Sequence, residues 1–581
     1  MTSIPADPEK PVDPENPENP DESVIDDTNA DSRVPGDNRP AQPWPQRHHG
    51  LVMGIGIACV ALGMMLFWSA FHIDGHGSGD DFALYINQAR AMIQGDVGRT
   101  IAGNHYAVDN SAWQTFSPYT YPWGLPLLLA PVMAITGSVD WTAGVDYGPM
   151  KTVISLTLAF ALLAYFAVLR RRVHIVGAVL LPLFFATNFW YVTHTDQVLS
   201  EFPFLMCVMV FLLWLDRVRE RGLLDGDQVA PLVVIGLIAC YTFNTRREGV
   251  GVLIGLLAAQ AALAWHRSNA ESWDERRRLF RALNWRALAT PWVTFVGAAA
   301  AFQLLLPSDL LPNYEQRAPG NATSLSNLPD NLRVYRPLLA EQLGFKDAGV
   351  ADITLFQSDS LGSVALATFV VAAIVGIVLC TITAPRRDAA LIGTFIGVGG
   401  VVSVAPFADY RYLMSLLPLL AYFAFQGVSI PLRLILRKRF VTWPTLLAEL
   451  ALVGLIMGGW PDTKNAYDYR SAWVGPQNGP QEAATLEMWQ AVRRETRGDS
   501  VIVYNRARTM ALYTGRLSVQ GGAIDFTERA GDYYVMYLDS DGTPGDYSQY
   551  PLTDAEAAER GFNEVWRNAG YVIWQIPGRD S

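Results

Sequence analysis

The sequence predicts an all-α polytopic membrane protein of about 11 transmembrane helices, followed by a small extracytoplasmic α/β domain. Three observations predict it. Half of the 581 residues are apolar and only 17% are charged. The charges cluster between long apolar runs, whereas a soluble chain of this length would split into domains with charge spread through each. After Trp460 the apolar runs stop, and about 120 residues remain, enough for one small domain.

The chain opens with residues 1–46, which hold eleven carboxylates and ten prolines. Such a segment buries too little apolar surface to offset its ordering entropy, so it is expected to be a disordered cytoplasmic tail. No secretory signal is read here, because the first apolar run begins only at Leu51 and continues to Phe71, long enough to anchor. Membrane spans are expected near 51–72, 149–169, 173–191, 202–216, 230–246, 249–266, 288–307, 362–383, 389–407, 412–431 and 442–459. A transmembrane domain is therefore expected over 47–459 and an extracytoplasmic domain over 460–581. In the latter, 480–497 reads as an amphipathic helix, and Val501–Tyr504, Tyr533–Leu538 and Tyr571–Ile576 as short buried strands.

Basic residues orient the spans. Arg170–Arg172, Arg217 with Arg219 and Arg221, Arg267 with Arg276–Arg278 and Arg281, Arg386–Arg387, and Arg437–Arg439 all fall on one side if the N-terminus is cytoplasmic. The apolar segment Tyr121–Ile135 contains three prolines and falls short of the roughly 20 residues a crossing needs. It reads as a helix in the outer interface, inside a long first outer loop, 73–148.

All four cysteines, Cys59, Cys207, Cys240 and Cys380, lie in apolar spans, which argues against a disulfide framework or a cysteine metal site. No GxxxxGK motif is present, which disfavours an ATP-driven pump.

Four polar clusters sit at the expected outer mouths. Asp80 and Asp81 follow a glycine-rich turn and precede a helical stretch; they read either as a helix cap or as a carboxylate able to accept a proton from a hydroxyl. THTDQVLSEFPF carries His194, Asp196 and Glu201, with Glu201 a cap or a functional acid and His194 an interfacial hydrogen-bonder, a ligand or a base. FNTRREG carries Arg246, Arg247 and Glu248, and FADYRYLMSLLP carries Asp409 and Arg411. Arginines on this face run against the charge rule, and they read as snorkelling to lipid phosphate or as a phosphate clamp.

The run GDDFALYINQARAMIQGD…SPYTYPWGLPLLLAPVMAITG resembles the first outer loop of GT-C glycosyltransferases, within them the protein-mannosyltransferase and aminoarabinose-transferase-like group. The pattern is Asp80–Asp81, Tyr85, Ala89, Gly95, then Tyr121–Pro122; TDQVLSEFPF, TRREG and YRYLMSLLPLL follow in the group's order. Trp123 stands where the commoner turn has a second proline, and Asp81 where Glu is frequent. The resemblance implies a polyprenyl-phosphate sugar donor, transfer on the outer face, and inversion by a single displacement. It implies Asp80 as base and Asp81 as its orienter or the acceptor's. Arg246, Arg247 and Arg411 would hold the phosphate, with Tyr121, His194, Asp196 and Glu201 completing the binding set. No cofactor or metal is implied; a divalent cation on Asp80, Asp196 and Glu201 is the disfavoured alternative. The expected partners are the lipid-linked donor, membrane lipid, and a glycan, glycolipid or protein acceptor, with no nucleic acid. The expected location is a bacterial plasma membrane. A polytopic transporter or lipid flippase, or a non-catalytic envelope-assembly scaffold, is the rival reading.

Overall fold

A backbone in hydrocarbon must satisfy its own hydrogen bonds, and each apolar run expected to span forms helix. The computed structural model describes residues 49–77, 81–113, 117–138, 145–267, 283–308, 324–345, 359–406, 408–435, 443–471, 479–545 and 550–578. The acidic leader 1–46 and the expected base Asp80 lie outside the described residues. Ile57–Ser581 forms one compact unit.

In chain order the helices are α1 (His49–Ser69), α2 (Asp81–Gln94), α3 (Val97–Asp109), α4 (Gly124–Thr136), α5 (Gly148–Leu169), α6 (Ile175–Thr187), α7 (Phe189–His194), α8 (Glu201–Glu220), α9 (Val229–Thr245), α10 (Val252–Arg267) and α11 (Trp285–Leu305). They continue with α12 (Leu328–Gln342), α13 (Asp359–Thr383), α14 (Pro385–Ser403), α15 (Tyr410–Met414), α16 (Leu417–Ile435) and α17 (Trp443–Ser471).

Among the described residues, four stretches are long and apolar enough to cross a membrane: Gly148–Leu169, Arg247–Trp265, Trp285–Leu305 and Gly362–Thr383. Others, such as Ile175–Thr187 and Val229–Thr245, are shorter apolar helices, so a count of 11 full spans is not reached on that criterion. The shortening has local causes. Asn188 is extended and its side chain accepts the N–H groups of Trp190 and Tyr191, ending α6 and starting α7. Arg246 is extended at φ −150° and ends α9. Helix α11 leaves Val293, Val296, Leu304 and Leu305 at 69%, 62%, 83% and 78% exposure, a continuous apolar face of the kind that meets lipid.

Close helix crossings need absent side chains. A Cβ on Gly376 of α13 would lie 1.8 Å from the Phe423 carbonyl oxygen of α16, and one on Gly427 of α16 would lie 1.8 Å from the Ala372 carbonyl oxygen of α13.

The C-terminal region adds α18 (Ala483–Glu495), β1 (Val501–Val503), α19 (Ala507–Thr514), β2 (Leu517–Val519), α20 (Ile524–Ala530), β3 (Tyr533–Tyr537), α21 (Asp554–Glu559), β4 (Asn563–Arg567) and β5 (Tyr571–Gln575). Sheet order is β2-β1-β3-β5-β4. β1 pairs parallel with β2 and β3, and β5 pairs antiparallel with β3 and β4. Helix α18 and strands β1, β3 and β5 fall where the sequence pattern puts them. The pattern misses β2, three residues long, and β4, an edge strand exposed at Asn563 and Glu564.

This region is fastened to the loop between α1 and α5. Ser111 Oγ accepts the Gln520 N–H (2.9 Å) and the Gln520 carbonyl accepts the Ala112 N–H (3.0 Å). The Tyr147 and Tyr513 hydroxyls lie 2.6 Å apart, and Arg90 Nη1 donates to the Leu512 carbonyl at 3.1 Å.

Candidate functional site

Asp81 opens α2, where the unpaired N–H groups of a helix start favour an acid. Its carboxylate is the meeting point of three segments far apart in sequence. Oδ1 accepts from the Tyr121 hydroxyl (2.8 Å) and from Arg508 Nη1 (2.6 Å), and Oδ2 accepts from Arg411 Nη1 (2.8 Å). Burial pushes this carboxyl up, but the Arg411 and Arg508 guanidinium groups outweigh it and hold it below the usual carboxylate range. Asp81 therefore stays ionised at neutral pH and is a poor proton acceptor.

Tyr121 is set by Gln88 of α2, a fully buried amide that brackets its backbone. Gln88 Nε2 donates to the Tyr121 carbonyl (2.9 Å), and Gln88 Oε1 accepts its N–H (3.0 Å). The ring stacks on Tyr85 at 4.7 Å, and its hydroxyl also accepts from Tyr119 at 2.9 Å. Burial, then the Asp81 charge, raise the Tyr121 phenol well above its ordinary value, so it remains a donor.

Asp409 caps α15 by accepting the Arg411 N–H (3.0 Å), and its second oxygen accepts from Arg411 Nε (3.0 Å). The cap thus aims the guanidinium at Asp81. Among the described residues no acceptor is recorded for Arg411 Nη2, which leaves donors for an anion.

Arg246 lies beside this group. Nη1 donates to Glu201 Oε1 (2.6 Å) and Nη2 to Glu248 Oε1 (3.1 Å), and the guanidinium sits 5.1 Å over the Tyr412 ring. Its neighbour goes elsewhere: Arg247 Nη2 donates to Ser308 Oγ at 2.6 Å, with the guanidinium 4.5 Å over Phe243. The extended backbone at Arg246 explains the divergence, since successive side chains then point to opposite sides.

The structure thus brings Asp81, Tyr121, Glu201, Arg246 and Arg411 together and sends Arg247 away. His194 lies behind Glu201, its Nε2 3.4 Å from Glu201 Oε2 but too poorly aligned for a hydrogen bond. Asp196 is taken by Lys151 (2.6 Å), with the Ile73 N–H donating to the same oxygen at 3.1 Å. That buried pair ties α5 to the turn after α1. Among the described residues no group of three His, Cys, Asp or Glu is arranged to hold a metal ion.

Two residues escaped the sequence reading. Arg508 comes from α19 in the C-terminal region, 4% exposed, with its guanidinium 4.9 Å over Tyr119. Nothing in its local sequence separates it from a surface arginine. Lys151 did carry a signal: it is a lone cation in the apolar run of α5, and such a residue needs a partner.

No protein-family model matches the chain, and no curated protein matches it. Solved structures similar to it include the archaeal oligosaccharyltransferase AglB from Archaeoglobus fulgidus in complex with an inhibitory peptide and a dolichol-phosphate, at TM-score 0.47 and 11% identity over 93% of this chain and 75% of that one. They also include ArnT from Cupriavidus metallidurans bound to undecaprenyl phosphate, at TM-score 0.49 and 13% identity over 92% of this chain and 99% of that one. Both similarities lie below a TM-score of 0.5 and assign no family to this chain. At these identities the similarity names neither donor nor acceptor for this chain.

Proposed function

We propose that this chain is a membrane glycosyltransferase that moves a sugar from a polyprenyl-phosphate donor to an envelope glycan, lipid or protein acceptor, with inversion. The observation that carries the reading is the convergence of Arg411 and Arg508 on Asp81, with Arg246, at the C-terminal end of the apolar helix α9, held beside them by Glu201. Three guanidinium groups there suit a lipid phosphate whose chain lies among the helices.

In the reaction the acceptor hydroxyl oxygen attacks the anomeric carbon. The bond from that carbon to the phosphate oxygen breaks, and polyprenyl phosphate leaves. Asp80 takes the hydroxyl proton. Asp81, ionised and held by two arginines, sets their positions and is not the base. Arg411 and Arg246 stabilise the charge growing on the departing phosphate, an electrostatic effect aimed at the transition state. Glu201 and Glu248 keep Arg246 in place and charged. On this reading the protein works in a bacterial plasma membrane, with the N-terminus cytoplasmic and the site on the outer face.

A deletion strain complemented in turn with wild type, Asp80→Asn and Arg411→Gln tests this. Mass spectrometry should find a polyprenyl-phosphate sugar accumulating in the deletion and in both variants, and cleared by wild type. If no lipid-linked sugar accumulates, or if Arg411→Gln restores wild-type levels, the transferase reading fails.

A further inference from the structure

A cleft of about 650 Å³ separates α2 and α3 from the Gly498–Asp499 turn, α19 and β2 of the C-terminal region. It lies apart from the Asp81 cluster, yet α2 links them: Asp81 starts the helix and Arg90 lines the cleft nine residues later, about 13 Å along the axis. Three arginines face it, Arg90, Arg99 and Arg516, with the amides of Asn87 and Asn104 and the Tyr106 ring. Asp96 and Asp499 are also on its wall, leaving one excess positive charge.

Two of the arginines are held in place by backbone carbonyls. Arg90 donates to the Leu512 carbonyl and to Asn87 Oδ1 (2.7 Å). Arg516 donates to the Thr496 carbonyl and the Arg493 carbonyl, both at 3.0 Å, and to Thr496 Oγ1 at 3.3 Å. Burial lowers Arg90 to about 10, and burial with the nearby Arg493 charge lowers Arg516. A cation that has lost water gains from an arriving anion. Arg99 and Tyr106 lie at the exposed rim, while Asn104 and Ser518 form a buried polar floor. Planar amides and guanidinium forks match neighbouring sugar hydroxyls, and an exposed tyrosine face matches the C–H face of a pyranose.

We infer that this cleft binds an anionic carbohydrate chain and, on the transferase reading above, holds the acceptor a short oligosaccharide's length from the reacting centre. Acidic groups on the chain sit at Arg99 and Arg516, and the end to be extended runs along α2 towards Asp81.

The test is binding, not turnover. Full-length protein in nanodiscs is titrated with trigalacturonate, its methyl ester and pentamannose 6-phosphate, for wild type, Asp81→Asn, Arg99→Gln and the Arg99→Gln/Arg516→Gln pair. At least one acidic probe should bind wild type and Asp81→Asn saturably, about tenfold more weakly to the double variant, and less tightly as ionic strength rises. Which acidic probe binds names the anion. Absence of saturable binding by both, or unchanged affinity in the double variant and in exposed-rim Arg99→Gln alike, overturns the inference. Failure of the strain test above with intact cleft binding would remove the transferase reading and leave the glycan site standing.

Discussion

Helix α8 carries an ion cluster at each end, and the two differ in kind. Near its C-terminal end Asp216 accepts from Arg172 Nη2 at 2.8 Å, and Arg172 Nε donates to Asp388 Oδ1 at 3.1 Å. Tyr422 also donates to Asp388, at 3.1 Å. All three charged side chains are 0–1% exposed. At its N-terminal end Glu201 holds Arg246, beside Asp81 and Arg411, which are 25% and 23% exposed. Roughly 22 Å of helix separates Glu201 from Asp216. The sealed cluster clamps the loop after α5 to α8 and α14, and every strong donor there has a protein acceptor. The open cluster keeps donors on Arg411 and an edge to solvent. Full burial with complete pairing builds a joint, whereas partial exposure with spare donors leaves room for a ligand.

Mutations that break one end and spare the other sharpen that contrast. The largest effect belongs to the sealed cluster. Asp216→Leu leaves Arg172 buried with its charge poorly compensated and is expected to cost about 3–5 kcal/mol, read as a fall in thermal stability in detergent. Replacing Arg172 and Asp216 together by Met and Leu should recover most of that loss. At the open end the cost moves from stability to turnover. Arg411→Gln is expected to slow transfer by roughly 10²–10³-fold, about 2.7–4 kcal/mol, with little change in melting temperature. A matching stability loss would make Arg411 a joint like Arg172.

The next effect is a pH dependence. His76 is buried against Phe82, its Nε2 accepts the Val198 N–H at 3.0 Å, and burial lowers it from 6.5 to about 4. Between those values the unfolded chain binds a proton that the folded chain refuses. Stability should therefore decline as pH drops from 6.5 to 4 and level off below, by about 3 kcal/mol at most. His76→Gln should flatten this slope; an equal slope in the variant would assign it to other groups. Smallest is Tyr121→Phe, which keeps the stack on Tyr85 but removes one donor to Asp81. A loss of about 1 kcal/mol, close to fivefold in turnover, is expected in steady-state kinetics.

Much of the helical framework was legible because apolar runs signal themselves locally. The segment Tyr121–Ile135, read as too short to cross, is helix α4, Gly124–Thr136, 13 residues long. The site was legible in part. Asp81 stood out as one of an acidic pair between a glycine-rich turn and a helical stretch, and Arg246 and Arg411 because arginines on that face run against the charge rule. Asp196 looked the same in sequence, yet its charge is answered by Lys151, and only distance tells these cases apart. Arg246 and Arg247 are adjacent in sequence and diverge because one residue is extended. Arg508 approaches Asp81 from 427 positions away, a pairing that no local pattern encodes.

The chain by itself determined where helices run and that charge gathers at their ends. Both follow from the cost of leaving backbone or ionised groups unsatisfied in hydrocarbon, which each segment meets alone. The tertiary structure decided which acid faces which arginine and which charges are sealed. It also decided that the C-terminal region reaches back to Asp81. Those choices depend on distances of a few ångströms between segments hundreds of residues apart, and electrostatic energy turns on exactly such distances.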